Sequence, residues 1–124
     1  MMQIETLALP FNRTGKFTEG ADGTRSIMAL CDELWAIHPS LGQSFHDETG
    51  EPLFTLTHKA TNCVTAKGTR PRVLETLRVI RERGMDFSFT DPRAAAALKE
   101  EYREVRAEVE RRLKHKSAHG TREH

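Results

Sequence analysis

The sequence predicts a small single-domain α+β protein. About three helices, at about 24–38, 70–83 and 92–116, are expected to pack on a short antiparallel sheet containing a β-hairpin at about 44–58. Three observations carry that expectation. Asp47-Glu48-Thr49-Gly50 reads as a turn between segments of alternating side chains. Val73, Leu74, Leu77 and Ile80 recur at helical spacing. Ala95, Leu98, Tyr102, Val105, Val109 and Leu113 follow at intervals of three or four residues, which draws a narrow apolar stripe along a helix. A chain of 124 residues suffices for one domain and buries roughly two-thirds of the surface its unfolded form exposes.

Residues 2–9 alternate Ile4, Leu7 and Leu9 with polar neighbours, lack helix caps and stop at Pro10, so they read as a short first strand. Asn12 to Gly23, with three glycines and Phe17 almost alone among apolar residues, reads as a loop. Thr24 is placed as an N-cap for the first helix, which ends at His38 before Pro39. Ile27, Leu30, Cys31, Leu34, Trp35 and His38 then form its apolar face. In the hairpin, the incoming strand holds Phe45, and Leu53 to His58 return with Phe54, Leu56 and His58 on one side. Thr61 to Gly68 is polar and broken.

The helix at 70–83 starts after Thr69 with Pro71 in its first turn and ends at Gly84, with Met85 placed for the apolar contact that accompanies such caps. Phe87 and Phe89 alternate in a connector or short strand. Asp91 then offers an N-cap oxygen to the long helix, and Ala94 to Ala97 supply high helix propensity. Residues 1–116 are expected to form the globular domain, with 117–124 a disordered polar and basic tail.

Net charge is +1, but it is unevenly spread. Beyond Glu110, Arg111, Arg112, Lys114, Lys116 and Arg122 are opposed by Glu123 alone, so a slightly acidic body ends in a basic segment. No apolar run approaches the ~18 residues of a membrane span. The first residues lack the basic start and apolar core of a secretory signal, and a cytoplasmic protein is the expectation. Cys31 and Cys63 show no metal or redox spacing and read as reduced thiols.

Candidate chemistry is present only in fragments. Gly15-Lys16 lacks the upstream glycine and following hydroxyl of a phosphate loop. His46-Asp47-Glu48 has the H-x-E spacing of zinc deaminases without the later pair of thiolates. Cys31 and His38 would lie about 10 Å apart along a helix, too far for proton transfer. His58 with Cys63, or those two with His46, could form a thiol or metal site only by tertiary convergence. His115, His119 and His124 read as a polar tail.

These readings favour a small non-enzymatic regulatory protein that acts by protein–protein interaction. A stoichiometric inhibitor or anti-activator binding a transcription factor or enzyme fits that description. A homodimer through the C-terminal helix is expected, with Tyr102, Val105, Arg106, Val109, Arg112 and Leu113 as partner-binding residues, because charge flanks a three–four apolar repeat there. The alternative is a nucleic-acid-binding transcriptional regulator using the basic residues of helix 70–83 with Arg111, Arg112, Lys114 and Lys116. A small cysteine- or metal-dependent enzyme is a second alternative. No cofactor or metal is expected.

Overall fold

The computed structural model describes residues 2–11, 23–40 and 48–122. Five strands come first in chain order: β1 (Gln3–Phe11), β2 (Gly23–Cys31), β3 (Trp35–Pro39), β4 (Leu53–His58) and β5 (Cys63–Thr69). Helix α1 (Arg70–Glu82), a 3-10 helix (Pro92–Leu98) and helix α2 (Lys99–Arg122) follow. The strands form one antiparallel sheet in the order β1-β2-β3-β4-β5, each beside its sequence neighbour. The α+β class is as expected, but the described residues form two α-helices rather than three.

The expected helix at 24–38 is the main correction. That segment is β2 and β3, joined by a tight turn in which the Asp32 carboxylate accepts from the backbone N–H groups of Leu34 (2.8 Å) and Trp35 (2.7 Å). Asp32 and Glu33, read as the outer face of a helix, are the polar break between two strands. The misreading has a physical basis: an unbroken apolar run such as Ile27 to Cys31 fits a strand covered on both faces as well as a buried helix face. Its true alternation places Leu30 opposite Ile37 on one face and Cys31 opposite Ala36 on the other.

The hairpin expected at 44–58 is also displaced. Residues 44–47 lie outside the described residues, while Leu53–His58 is a strand as expected. Among the described residues, β4 pairs with β3 and with β5. The supposedly broken segment from Thr61 onward supplies β5. Between the Leu56–Ala66 and Thr57–Val64 pairs the register shifts, leaving Thr65 as a bulge residue on the sheet's last strand.

Helix α1 matches its expected boundaries. Gly84 adopts φ +63°, Met85 N–H donates to Ile80 O (3.3 Å) and Gly84 N–H to Arg81 O (3.1 Å), the paired closure that a left-handed glycine permits. Thr69 occupies the N-cap position but makes no side-chain cap bond. Asp91 does cap, accepting from Arg93 N–H at 2.9 Å, although the turns it starts are 3-10 before α2 begins at Lys99. Alanine propensity favours helical winding without fixing its pitch, and tight turns are common at helix starts. The helical backbone of α2 then runs to Arg122.

Both helices and the Phe87–Phe89 connector pack on one face of the sheet. Trp35, Ile37 and Leu56 from the sheet, Val73, Leu77 and Ile80 from α1, Phe87, and Val105 and Val109 from α2 share this core. Leu98, Tyr102 and Leu113 pack against it. The stripe on the long helix is therefore buried within its own chain, and Val105 (0%) and Val109 (2%) are almost wholly removed from solvent. The opposite face carries a small cluster of Ala29, Cys31 and Ala36, with the buried polar residues His38, Ser40, Thr55 and Thr57 alternating along β3 and β4.

Candidate functional site

Three of the titratable groups singled out from the sequence, Cys31, His38 and His58, are held in structural roles. His58 and Cys63 are indeed brought together, as Cα partners closing the β4–β5 hairpin. The imidazole, however, is already engaged at both nitrogens. Nε2 lies 2.6 Å from Phe87 O, which can only accept, so Nε2 carries the proton. Nδ1 lies 2.8 Å from the Thr61 hydroxyl, and Thr61 Oγ1 also accepts from Cys63 N–H at 3.3 Å. The ring also lies among Trp35, Phe87 and Phe89, with centroid separations of 5.5, 5.6 and 4.7 Å. His58 therefore pins the aromatic connector to the sheet, with both ring nitrogens already hydrogen-bonded to groups other than the neighbouring thiol.

Cys31 and His38 lie on adjacent strands of the same sheet face, and both are buried. Burial pushes the Cys31 thiol up, and the carboxylates of Glu5 and Asp32 add to that, so the nucleophilic thiolate is disfavoured. Burial likewise holds His38 below the ordinary histidine value. Its Nδ1–H donates to Pro39 O (2.9 Å), and Nε2 lies 2.8 Å from Thr57 Oγ1. His46 lies outside the described residues. Among the described residues, no three His, Cys, Asp or Glu side chains converge as a metal site.

Of the residues expected to bind a partner or nucleic acid, Tyr102, Val105, Val109, Arg111, Arg112 and Leu113 are tied to their own fold, while Arg106 is exposed. Besides the buried Val105 and Val109, the Tyr102 hydroxyl donates to the carbonyl of Thr65, the bulge residue of β5. That bond occupies part of the sheet's last edge. Arg112 reaches Glu82 (2.8 Å), Glu108 (2.8 Å) and the buried carboxylate of Glu75 (3.4 Å). Hydrogen bonds from Arg112 hold Glu82 and Glu108 below the usual carboxylate range. Arg111 pairs with Glu108, Arg72 with Glu110, Arg81 with Asp32 and Arg78 with Glu75. Most of the basic character read in α1 and at the start of the C-terminal segment is thus matched by carboxylates of the same chain. Lys114 is exposed, and the Lys116 side chain lies outside the described residues.

Among the described residues, several concave surfaces remain. A groove of about 480 Å³ between β5, α1 and α2 is lined by Lys67, Arg72, Arg106 and Glu110. A second, of about 350 Å³, is walled by Phe87, Phe89, Leu98 and Tyr102, with Cys63, Thr65 and Lys99 contributing polar groups beside the engaged His58 and Thr61. A third, about 340 Å³, lies where β1 and β2 extend past α1, and Ile4, Met28, Leu30, Ile37, Phe54 and Leu74 line it with Arg70. Ile4 (70% exposed) and Met28 (65% exposed) are the most exposed large apolar side chains described. Pairing of Ile4 with Leu30 and of Thr6 with Met28 sets both on the face that carries the helices, beyond the area α1 covers.

Sequence reasoning missed this surface because it placed residues 24–38 in a helix. No alternation of polarity marks it, because Met28, Ala29, Leu30 and Cys31 are all apolar. Among the described residues, no helix is long and apolar enough to cross a membrane. Compared with protein-family models, with curated proteins and with solved structures, the chain matches none.

Proposed function

We propose that this chain is a small regulatory protein that works by binding another protein, and that its docking surface is the β1–β2 face beside α1 rather than the C-terminal helix. One observation carries the reading: Ile4 and Met28 stand exposed at the rim of an apolar groove of about 340 Å³. Exposed apolar surface continuous with a pocket is the form that protein-binding sites take, with a buried anchor and a polar rim. Arg70 stands on that rim and forms no ion pair among the described residues, which favours a partner whose apolar anchor is followed by a carboxylate. Binding and occluding a surface on a transcription factor or enzyme remains the proposed mode of action.

The nucleic-acid alternative has weaker support, because Arg111, Arg112, Arg72, Arg78 and Arg81 all face intramolecular carboxylates. The test is co-purification from the native host with wild type, Ile4→Glu and Met28→Glu. Both side chains are exposed, so the variants should melt with the wild type. Proteins retained by the wild type and lost from both variants are the expected result. Equal retention by all three chains refutes the proposed surface. Light scattering on the same samples decides whether the partner is a second copy: a wild-type dimer that Met28→Glu converts to monomer would identify it.

A further inference from the structure

We infer that the groove beneath the 3-10 helix is a binding site for a small aromatic monocarboxylate. This goes beyond the proposed protein-binding surface and uses different residues. The groove measures about 350 Å³, at the lower end of the ~300–1,000 Å³ typical of small-molecule sites. Its walls come from three separate elements: the β4–β5 turn, the Phe87–Phe89 connector, and the 3-10 helix with the start of α2. Phe87 and Phe89 lie 5.6 Å apart at an interplanar angle of 36°, presenting aromatic surface to whatever enters.

The ligand's chemistry follows from which polar groups are already engaged. His58 is bonded at both nitrogens, Thr61 is bonded to His58 and to Cys63 N–H, and the Tyr102 hydroxyl donates to Thr65 O. Three polar side-chain groups of the lining are left over: the Thr65 hydroxyl, the Cys63 thiol, a weak donor, and the Lys99 ammonium, of which Lys99 alone is charged. Lys99 has no ion-pair partner among the described residues. The adjacent acids are engaged elsewhere, Glu100 with Arg103 (3.4 Å) and Glu101 with Arg83 (3.4 Å). An apolar recess with aromatic walls and one unmatched cation at its mouth is complementary to an arene bearing a single carboxylate. The ring enters against Phe87, Phe89 and Leu98, and the carboxylate meets Lys99.

The experiment titrates naphthoate and its neutral amide, naphthamide, into the full chain and follows backbone amide resonances of Cys63, Thr65 and Phe89. Both probes should bind saturably, naphthoate more tightly and with a salt-dependent affinity. Lys99→Gln should weaken naphthoate about fivefold, the scale of an exposed ion pair, and leave naphthamide unchanged. Ala95→Phe adds a ring from the exposed 3-10 helix into the groove and should abolish binding of both probes while the chain stays folded. Equal naphthoate affinity in wild type and Lys99→Gln would overturn the proposal. So would binding that survives Ala95→Phe, resonance shifts confined to Met28 and Leu30, or no saturable binding at millimolar naphthoate.

Discussion

Replacing Val109 by alanine tests whether the stripe on α2 belongs to the chain's own core. The side chain is 2% exposed and lies in the cluster formed with Val105, Val73, Leu77 and Trp35. The substitution removes two carbons, a loss of about 1.6 kcal/mol at about 0.8 kcal/mol per buried methylene. The cavity left behind raises the cost to about 2 kcal/mol, since packed neighbours relax only in part. At about 2.1 cal/mol/K of unfolding entropy per residue, a chain of 124 residues should lose about 8 °C of melting temperature. The assay is thermal unfolding by circular dichroism over a hundredfold range of protein concentration. Wild type and variant should each melt at a concentration-independent temperature, because the contact is intramolecular. A stripe used between subunits would instead make the wild-type midpoint rise with concentration and the Val109→Ala midpoint lose that dependence. That outcome, or a shift under about 2 °C, refutes the assignment of Val109 to the core.

Other expectations follow from the same structure. Gly84→Ala forces a Cβ into φ +63° at the end of α1 with no neighbour within 4 Å to clash, so its cost is purely conformational; urea denaturation should show a loss of about 1 kcal/mol. Arg112→Gln should melt below wild type at pH 7. The gap should close as pH falls below the unfolded carboxylate value of 4.5, because Glu82 and Glu108 have lowered folded-state values and their contribution is lost on protonation. A gap that persists at pH 2 would show that Arg112 acts through packing alone. His38 is held below its unfolded value of 6.5 by burial, so the unfolded chain takes up the proton first as pH falls. Stability should therefore decline from above pH 6.5 down to the folded value, by at most about 1.4 kcal/mol per pH unit. Urea unfolding of wild type and His38→Gln between pH 7.5 and 5 measures that component; identical slopes in the two chains would remove it.

The most reliable sequence readings were those whose physics is complete within a few residues. Gly84 and Met85 close α1 through bonds reaching back three and five positions, and Asp91 caps through a bond to Arg93. Each of those signals states its own partner. The reading of 24–38 failed because Ile27 to Cys31 is apolar throughout, and such a run does not reveal its period. What makes it a strand is pairing with residues 3–11 on one side and 36–37 on the other. The candidate sites were less legible still. His58 and Cys63 were both visible in the sequence, but Phe87 O, 29 residues away, decides that the imidazole is a structural pin.

By itself, then, the sequence determined a small α+β chain, the position and C-terminal closure of α1, the cap at Asp91, and a three–four apolar stripe on α2. Periodicity and capping are local properties, and they fix which side chains share a face. They do not say what lies opposite. The tertiary structure directed the stripe from Leu98 to Leu113 onto the sheet and α1, matched Arg112 to Glu75 and Glu82, and left Ile4 and Met28 uncovered. The physical reason is that an apolar face is stabilised equally by any surface that excludes water from it. Only the packing of distant segments decides whether that surface comes from the same chain or from a partner.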